Sequence, residues 1–402
     1  PPGTWVRAAG YDERALREGR HPTRRELDQA APGHPVRLDH RSGHATVLNS
    51  LGLKLAGITG STPEPPGGYM ERDLADGEPA GLLVEMNEML DGLLPPPAPG
   101  ELRSAVAEAA RRLLAEGITF LQDATPTNGA AEWRLFGDLQ SEGVLPQAVS
   151  LMECYDHLGE LPEGKGRLLR GPVKIMPKEL EHEFYPQAGL LAAILRRIEA
   201  AGRRAAVHVT TRAGLETVLE AFEALGRPAP GHRIEHCSVA AEDAARRIAA
   251  LGLAVVTQPG FLFESADLML RRLSDADRSD LYPIRRLLEA GVPVAGSSDA
   301  PVAAPRPLDG IRGAVERLSR GGAELAPAQS LTASDALALF TSGAARVLGL
   351  DRERGSVAPG FVADLVVLNA LPGEVPWEQL SVDLTVIAGE VAYERSSSAR
   401  LD

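Results

Sequence analysis

Arg233-Ile234-Glu235-His236-Cys237 is the stretch on which the reading of this chain turns. It is a short apolar-polar run that follows a turn-forming Pro230-Gly231 and precedes residues 242–251, whose apolar spacing is helical. A histidine closing a short strand, just before a βα loop, stands where a (β/α)8 barrel places its chemistry. The same pattern recurs on both sides. Ala205-Ala206-Val207-His208 also ends a β-like run on histidine, Pro172-Val173-Lys174-Ile175 sets a lysine inside an apolar strand, and Val292-Pro293-Val294-Ala295-Gly296-Ser297-Ser298-Asp299 ends on aspartate. Lys174 and His208 are 34 residues apart, His208 and His236 are 28 apart, and His236 and Asp299 are 63 apart. A βα unit takes roughly 30 residues, so these are one, one and two units. Leu253-Ala254-Val255-Val256-Thr257-Gln258 fills the skipped unit as a strand without a ligand. Lys174, His208, His236 and Asp299 are therefore expected at the same end of four strands. Their functional atoms should fit a sphere on the order of 10 Å across, compatible with metal–ligand bonds of about 2 Å.

The composition suits a globular chain: 402 residues, 44% hydrophobic and 24% charged. The length allows one large α/β barrel with an appendage, or two domains. A net charge of −13 argues against a nucleic-acid partner. Cys154 and Cys237 lie in strand-like contexts, form no disulfide framework, and fit a reducing cytoplasm as buried free thiols. No stretch approaches the length of a membrane span.

Residues 1 to about 100 are irregular. Residues 11–19 suggest a short helix, and Thr23 is placed to cap another beginning Arg24-Arg25-Glu26-Leu27. Pro35-Val36-Arg37-Leu38-Asp39-His40 reads as a strand, residues 45–55 as a helix, and residues 70–86 as a hairpin turning at Ala75-Asp76-Gly77. Leu94-Pro95-Pro96-Pro97-Ala98-Pro99-Gly100 is a stiff linker. Regular β/α alternation follows, with seven strands ending near Asp123, Cys154, Met176, His208, His236, Gln258 and Asp299, and helices over 308–318 and 333–348 closing the pattern. Past them, residues 363–368 and 384–391 form short β elements outside the barrel. The expected fold is α/β: a (β/α)8 TIM-type barrel whose first strand is missing from the count. An insertion subdomain over 1–100 covers the barrel mouth, the catalytic barrel spans 101–348, and 349–402 is part of a small β-sandwich.

With these motifs in hand, the sequence resembles the amidohydrolase superfamily, in the branch with a long insertion after the first barrel strand that includes N-substituted formamide deformylases. The resemblance rests on Val173-Lys174-Ile175, Val207-His208, His232-Arg233-Ile234-Glu235-His236-Cys237, Ser297-Ser298-Asp299-Ala300-Pro301 and the run from Gly355-Ser356-Val357 to Ala363-Asp364-Leu365. Arg41-Ser42-Gly43-His44 with Asn49-Ser50, and Gly117-Ile118-Thr119 with Gln122-Asp123-Ala124, match the same branch. It covers almost the whole chain. The resemblance implies hydrolysis of a C–N bond by metal-activated water, with one or two divalent ions, commonly zinc. It implies metal ligation by His208 and His236, metal binding and general-base work by Asp299, and a bridging, carboxylated Lys174. The family's His-X-His pair on the first strand has no counterpart here, and Met176-Pro177-Lys178 stands where many relatives have Asp-Gly after the lysine.

Each assignment has a plainer competitor. His208 could be a satisfied core histidine, and Asp299 a cap before the Ala-Pro turn. Lys174 could be a strand-end lysine paired with a carboxylate. A desolvated, neutral lysine amine is what carbamate formation needs. Histidine nitrogen and carboxylate oxygen suit zinc, which lowers the pKa of bound water to about 7. Arg233 and Glu235 alternate with His236 and are expected to point away from the barrel interior as a structural ion pair. His232 reads as structural. His44, in the insertion, is a substrate contact or a loop-ordering residue; His21, His34, His157 and His182 read as surface residues. The leading function is a metal-dependent hydrolase of an amide, formamide or cyclic amide, with a small-molecule substrate and a homodimer as an option. The alternative is an inactive barrel that binds a ligand or partner. The non-methionine start at Pro1 and the seven strands raise the expectation of a longer chain upstream carrying His-X-His. They also raise the expectation of a gap between the strands ending at Asp123 and Asp299, with a half-formed metal site.

Overall fold

The computed structural model describes residues 3–13, 15–65, 68–95, 98–180, 183–264, 266–270 and 273–396. Pro1, Pro2, the Pro96-Pro97 pair of the linker, and His182 lie outside the described residues. The chain divides into two compact units, one of Pro1–Leu102 with Asp299–Ala304, the other of Arg103–Ser298 with Pro305–Asp402.

The first unit is built on a five-stranded mixed sheet: β1 (Val6–Tyr11), β2 (Val36–His40), β3 (Ala45–Leu48), β4 (Tyr69–Arg72) and β5 (Pro79–Val84), in the order β1-β2-β3-β5-β4. β1 and β2 are parallel and the other neighbours antiparallel. Residues 11–19 hold no helix among those described; β1 runs to Tyr11 and turns follow. The capping prediction at Thr23 holds: its side chain accepts from the Glu26 N–H, Glu26 answers to the Thr23 backbone, and helix Arg24–Ala30 starts there. Residues 45–55 are not one helix. Ala45–Leu48 are buried in a row, which requires a strand covered on both faces, and apolar periodicity alone does not distinguish that from a helix. Asn49 marks the switch, its Oδ1 accepting from Gly52 N–H at 2.8 Å and from Val36 N–H at 2.9 Å, so that helix Ser50–Leu55 begins after it. Leu48, Leu53, Ile58, Met70, Leu83, Met86 and Leu90 form the core of this unit.

The second unit carries β6 (Phe120–Asp123), β7 (Ala148–Cys154), β8 (Gly164–Lys165), β9 (Leu168–Ile175), β10 (Lys178–Leu180), β11 (Glu183–Tyr185), β12 (Ala205–Val209), β13 (Arg233–His236), β14 (Ala254–Thr257) and β15 (Val294–Gly296). Seven of them form one parallel sheet in the order β15-β14-β13-β12-β9-β7-β6; β8 is an antiparallel fringe on β9, and β10 and β11 make a separate hairpin. The order follows the chain, as right-handed βαβ repetition dictates. Helices supply the crossovers and bury one stripe each; Ala188–Ala200 buries Leu191, Ala192, Leu195 and Ile198. The sheet is curled. Arg233 on β13 donates to Gln122 Oε1 on β6, four strands away. Flat strands at about 4.8 Å spacing would hold those residues roughly 19 Å apart, so the contact closes across a concave face. Curled as it is, the sheet does not close: β6 and β15 are its two edges, and among the described residues neither pairs with the other.

Residues 333–348 form two helices, Ala333–Leu339 and Ser342–Leu348. Between them the Phe340 ring lies over Gly296 and Gly310, where any Cβ would meet it at 2.6 and 2.3 Å, and this packing fixes the break. The C-terminal residues form an antiparallel sheet of β16 (Leu365–Leu368), β17 (Val382–Ile387) and β18 (Glu390–Glu394). Thr385 Oγ1 donates to Leu114 O at 2.7 Å, tying this sheet to helix Pro99–Ala115.

Candidate metal and active site

Register assigns the faces of the parallel sheet. Lys174 lies beside Ala206, which lies beside Arg233; one row further along, His208 lies beside Glu235, and Glu235 beside Val256. Residues two apart share a face, so Lys174, Arg233, His208 and Glu235 all stand on the concave side that the Arg233–Gln122 contact identifies. Val173, Val207, Ile234 and Val255 alternate with them, wholly buried on the helix-facing side. The expectation that Arg233 and Glu235 point outward is therefore corrected. Parity with His236 misled, because His236 has left the strand geometry.

The backbone shows how. His236 has φ +70° and Cys237 φ +50°, left-handed values that non-glycine residues adopt at a cost of about 1–3 kcal/mol each. Cys237 N–H donates to both Val209 O and Glu235 O, which holds the turn. By simple alternation His236, paired with Val209, would face the helices. The turn brings its ring instead against His208, centroid to centroid 4.5 Å and nearly perpendicular. His236 Nδ1 lies 2.7 Å from Gln258 Oε1, and Gln258 Nε2 donates to Ser297 Oγ at 2.8 Å. With the amide oriented this way Nδ1 is the donor and Nε2 keeps its lone pair, the tautomer a metal ligand needs. Gln258 closes the strand read as lacking a ligand, and it orients the His236 ring.

The concave face is charged and buried. Arg233 Nε donates to Glu235 Oε1 at 2.5 Å, and Gln122 Nε2 donates to Ser150 Oγ at 2.9 Å. Lys174, Arg233, Glu235 and His236 are all buried. Burial would raise the pKa of Glu235, but the electrostatic pull of its neighbours, Arg233 foremost, outweighs it and holds the carboxyl below its usual range. Lys174 thus has a buried carboxylate in its field, as its plainer reading asked. Burial pushes the Cys237 thiol up to about 12 and leaves it inert, and Cys154 is buried as well. His232 is structural, its Nδ1 accepting from Ala205 N–H at 3.0 Å and its Nε2 facing Glu199 Oε1 at 3.0 Å.

Asp299, His44, His21 and His34 belong to the first compact unit, and His157 to the second. Asp299 follows β15 with φ +57° and opens the segment Asp299–Ala304; Val302 N–H donates to its carbonyl, and Val302 O accepts from Arg41 Nε and Nη2 at 3.1 and 2.7 Å. His44 Nδ1 lies 2.7 Å from Glu85 Oε1, and that bond, with the negative charges of Glu85 and Asp299, raises its pKa. His21 bonds Tyr11 OH through Nδ1 at 2.8 Å and is half-buried, not a free surface residue; His34 and His157 bond Thr4 O and Glu160.

The sequence pattern of the amidohydrolase family matches residues 1–393. The chain belongs to the amidohydrolase family. Among proteins of this kind, an N-substituted formamide deformylase of Arthrobacter pascens is 31% identical over 99% of this chain and 80% of its own length. The protein LONG AFTER FAR-RED 3 of Arabidopsis thaliana is 27% identical over 97% of this chain and 74% of its own. The crystal structure of an uncharacterized metal-dependent hydrolase from Pyrococcus horikoshii OT3 shares the fold, with a TM-score of 0.72 and 23% identity over 89% of this chain and 75% of that one. This amidohydrolase is accordingly a hydrolase on a curled, seven-stranded parallel sheet. Among its described residues no helix is long and apolar enough to cross a membrane.

The donor set on the concave face fits a divalent ion: two imidazoles edge to face, one with its second nitrogen tied to an amide oxygen, beside a buried lysine.

Proposed function

We propose that the chain is a metal-dependent hydrolase of a non-peptide C–N bond in an amide, formamide or cyclic amide, with zinc as its ion. The observation that carries this reading is the His208–His236 pair with Gln258 fixing the tautomer of His236. In it, Nε2 of His236 and the His208 ring hold the metal, and Lys174, carboxylated on its amine, is a further ligand. A divalent ion supplies Lewis acidity and a strong oxygen nucleophile near neutral pH. Asp299 takes the proton from the attacking water and returns it to the leaving nitrogen, and His44 contacts the substrate. In this reading the chain is organised as an insertion subdomain over 1–100, a catalytic barrel over 101–348 and a sandwich part over 349–402.

The test is turnover of N-substituted formamides, N-acyl amines and cyclic amides by zinc-loaded protein. Asp299→Asn should keep fold and zinc while cutting turnover by about 10²–10⁴. Full activity in that variant removes Asp299 from the mechanism. A chain that binds zinc yet turns over no member of the panel supports the inactive, ligand-binding alternative.

A further inference from the structure

We propose that Arg41 is a positioning residue for Asp299: from the turn between β2 and β3 it holds the segment that carries this carboxylate in its working conformation. The inference rests on the reading of Asp299 as the general base, and adds the group that sets where that base stands.

Asp299 has a φ of +57°, a left-handed value that a non-glycine residue keeps only where its surroundings over-determine it. Two hydrogen-bonded contacts in series contribute that constraint. Val302 N–H donates to Asp299 O at 2.9 Å, an i→i+3 bond of the kind that closes a β-turn. Val302 O in turn accepts from Arg41 Nε at 3.1 Å and Nη2 at 2.7 Å. Two N–H groups of one planar guanidinium fix the direction of that carbonyl as well as its distance, which a lysine ammonium on its flexible stem does not do. Arg41 and Val302 are 261 residues apart in sequence, yet both belong to one compact unit, Pro1–Leu102 with Asp299–Ala304.

Arg41 is itself fixed. Its backbone N–H donates to Tyr11 O at 2.9 Å, at the end of the parallel pair β1–β2. Its Nη1 meets Asp12 Oδ2 at 3.3 Å, with the arginine side chain 25% and the aspartate 15% exposed. One side chain therefore leads from the ends of β1 and β2 to the backbone on which Asp299 stands, the kind of locked support that a reacting group needs. The same turn carries His44, whose pKa is raised by its bond to Glu85 and by the charges of Glu85 and Asp299. Arg41 thus acts on the backbone of the segment, while His44 lies in the field of its carboxylate.

Kinetics of Arg41→Met and Arg41→Lys test the assignment; the lysine keeps a charge for Asp12 but not the fork. Each is compared with the unaltered full chain, zinc-loaded, on the panel substrate that chain turns over fastest. A misplacement of about 1 Å can cost about 10²-fold in rate, so kcat should fall by about that factor in Arg41→Met and by less in Arg41→Lys. KM and zinc content should stay nearly as they were. Adding Arg41→Met to Asp299→Asn should slow turnover no further, because Arg41 acts through that carboxylate; a merely structural tie would multiply the two losses. Whatever the turnover, amide exchange in the peptide spanning residues 297–304 should quicken in both Arg41 variants while that of β12 is unchanged. Unchanged exchange in that peptide, unchanged kcat, or losses that multiply overturn the proposal, and Arg41→Lys decides if Arg41→Met does not fold. Failure of the hydrolase reading shows separately, as absent turnover in the unaltered protein or full turnover in Asp299→Asn.

Discussion

His236 depends on Gln258 for its tautomer and on a left-handed turn for its direction. Gln258→Leu keeps the size of the side chain but removes the acceptor at Nδ1. Loss of such an orienting partner typically costs 10–100-fold in metal affinity. In the proposed zinc site the expected result is therefore binding weakened by about that factor with the fold retained, while Gln258→Glu, which keeps an acceptor, binds nearly as the unaltered protein does. Equal affinity in Gln258→Leu would show that the amide does not act on the ligand.

His44 gives a second residue-scale test. Its pKa is raised by the bond to Glu85 and by the charges of Glu85 and Asp299. A raised value in the folded state means this contact stabilises the fold fully below the ordinary histidine pKa, and that the stabilisation is lost as pH rises through the folded value. In Glu85→Gln the NMR titration of His44 should move down toward about 6.5, and the pH dependence of melting above that value should flatten. A titration that does not move would assign the shift elsewhere.

At the scale of elements, β13 places three ionisable side chains in four residues, and two of them, Arg233 and Glu235, form a buried pair. Removing one partner of such a pair costs about 3–5 kcal/mol, because the other charge stays buried alone. The double variant Arg233→Met/Glu235→Leu should lose far less than the two single variants together, a coupling that chemical denaturation measures directly. Additive losses would mean the pair does not act as a unit. The same strand shows what the sequence makes legible. Strand spacing located Lys174, His208 and His236 on successive strands, since a βα repeat has a fixed length. Which way Arg233, Glu235 and His236 face was not legible, because the left-handed turn at His236 breaks the alternation on which that inference rests.

Across the whole sheet, the parallel order leaves β6 and β15 with one unpaired edge each among the described residues. The central strands are different: β12 and β13 have neighbours on both sides and a fully buried row of Ala205, Val207, Val209 and Ile234. Edge strands open locally at lower free energy than strands held on both sides, because fewer ladder bonds must break. Phe120–Asp123 is only half-buried along its length, whereas Arg233–His236 is buried throughout. Amide hydrogen exchange on the native chain should therefore be slowest in peptides containing β12 and β13. It should be fastest, among the seven parallel strands, in those containing β6 and β15. His208 and His236 lie on the best-held strands, whereas Asp299 follows an edge strand. Protection of β6 and β15 equal to that of β13 would contradict the open sheet and require that both edges be paired in solution.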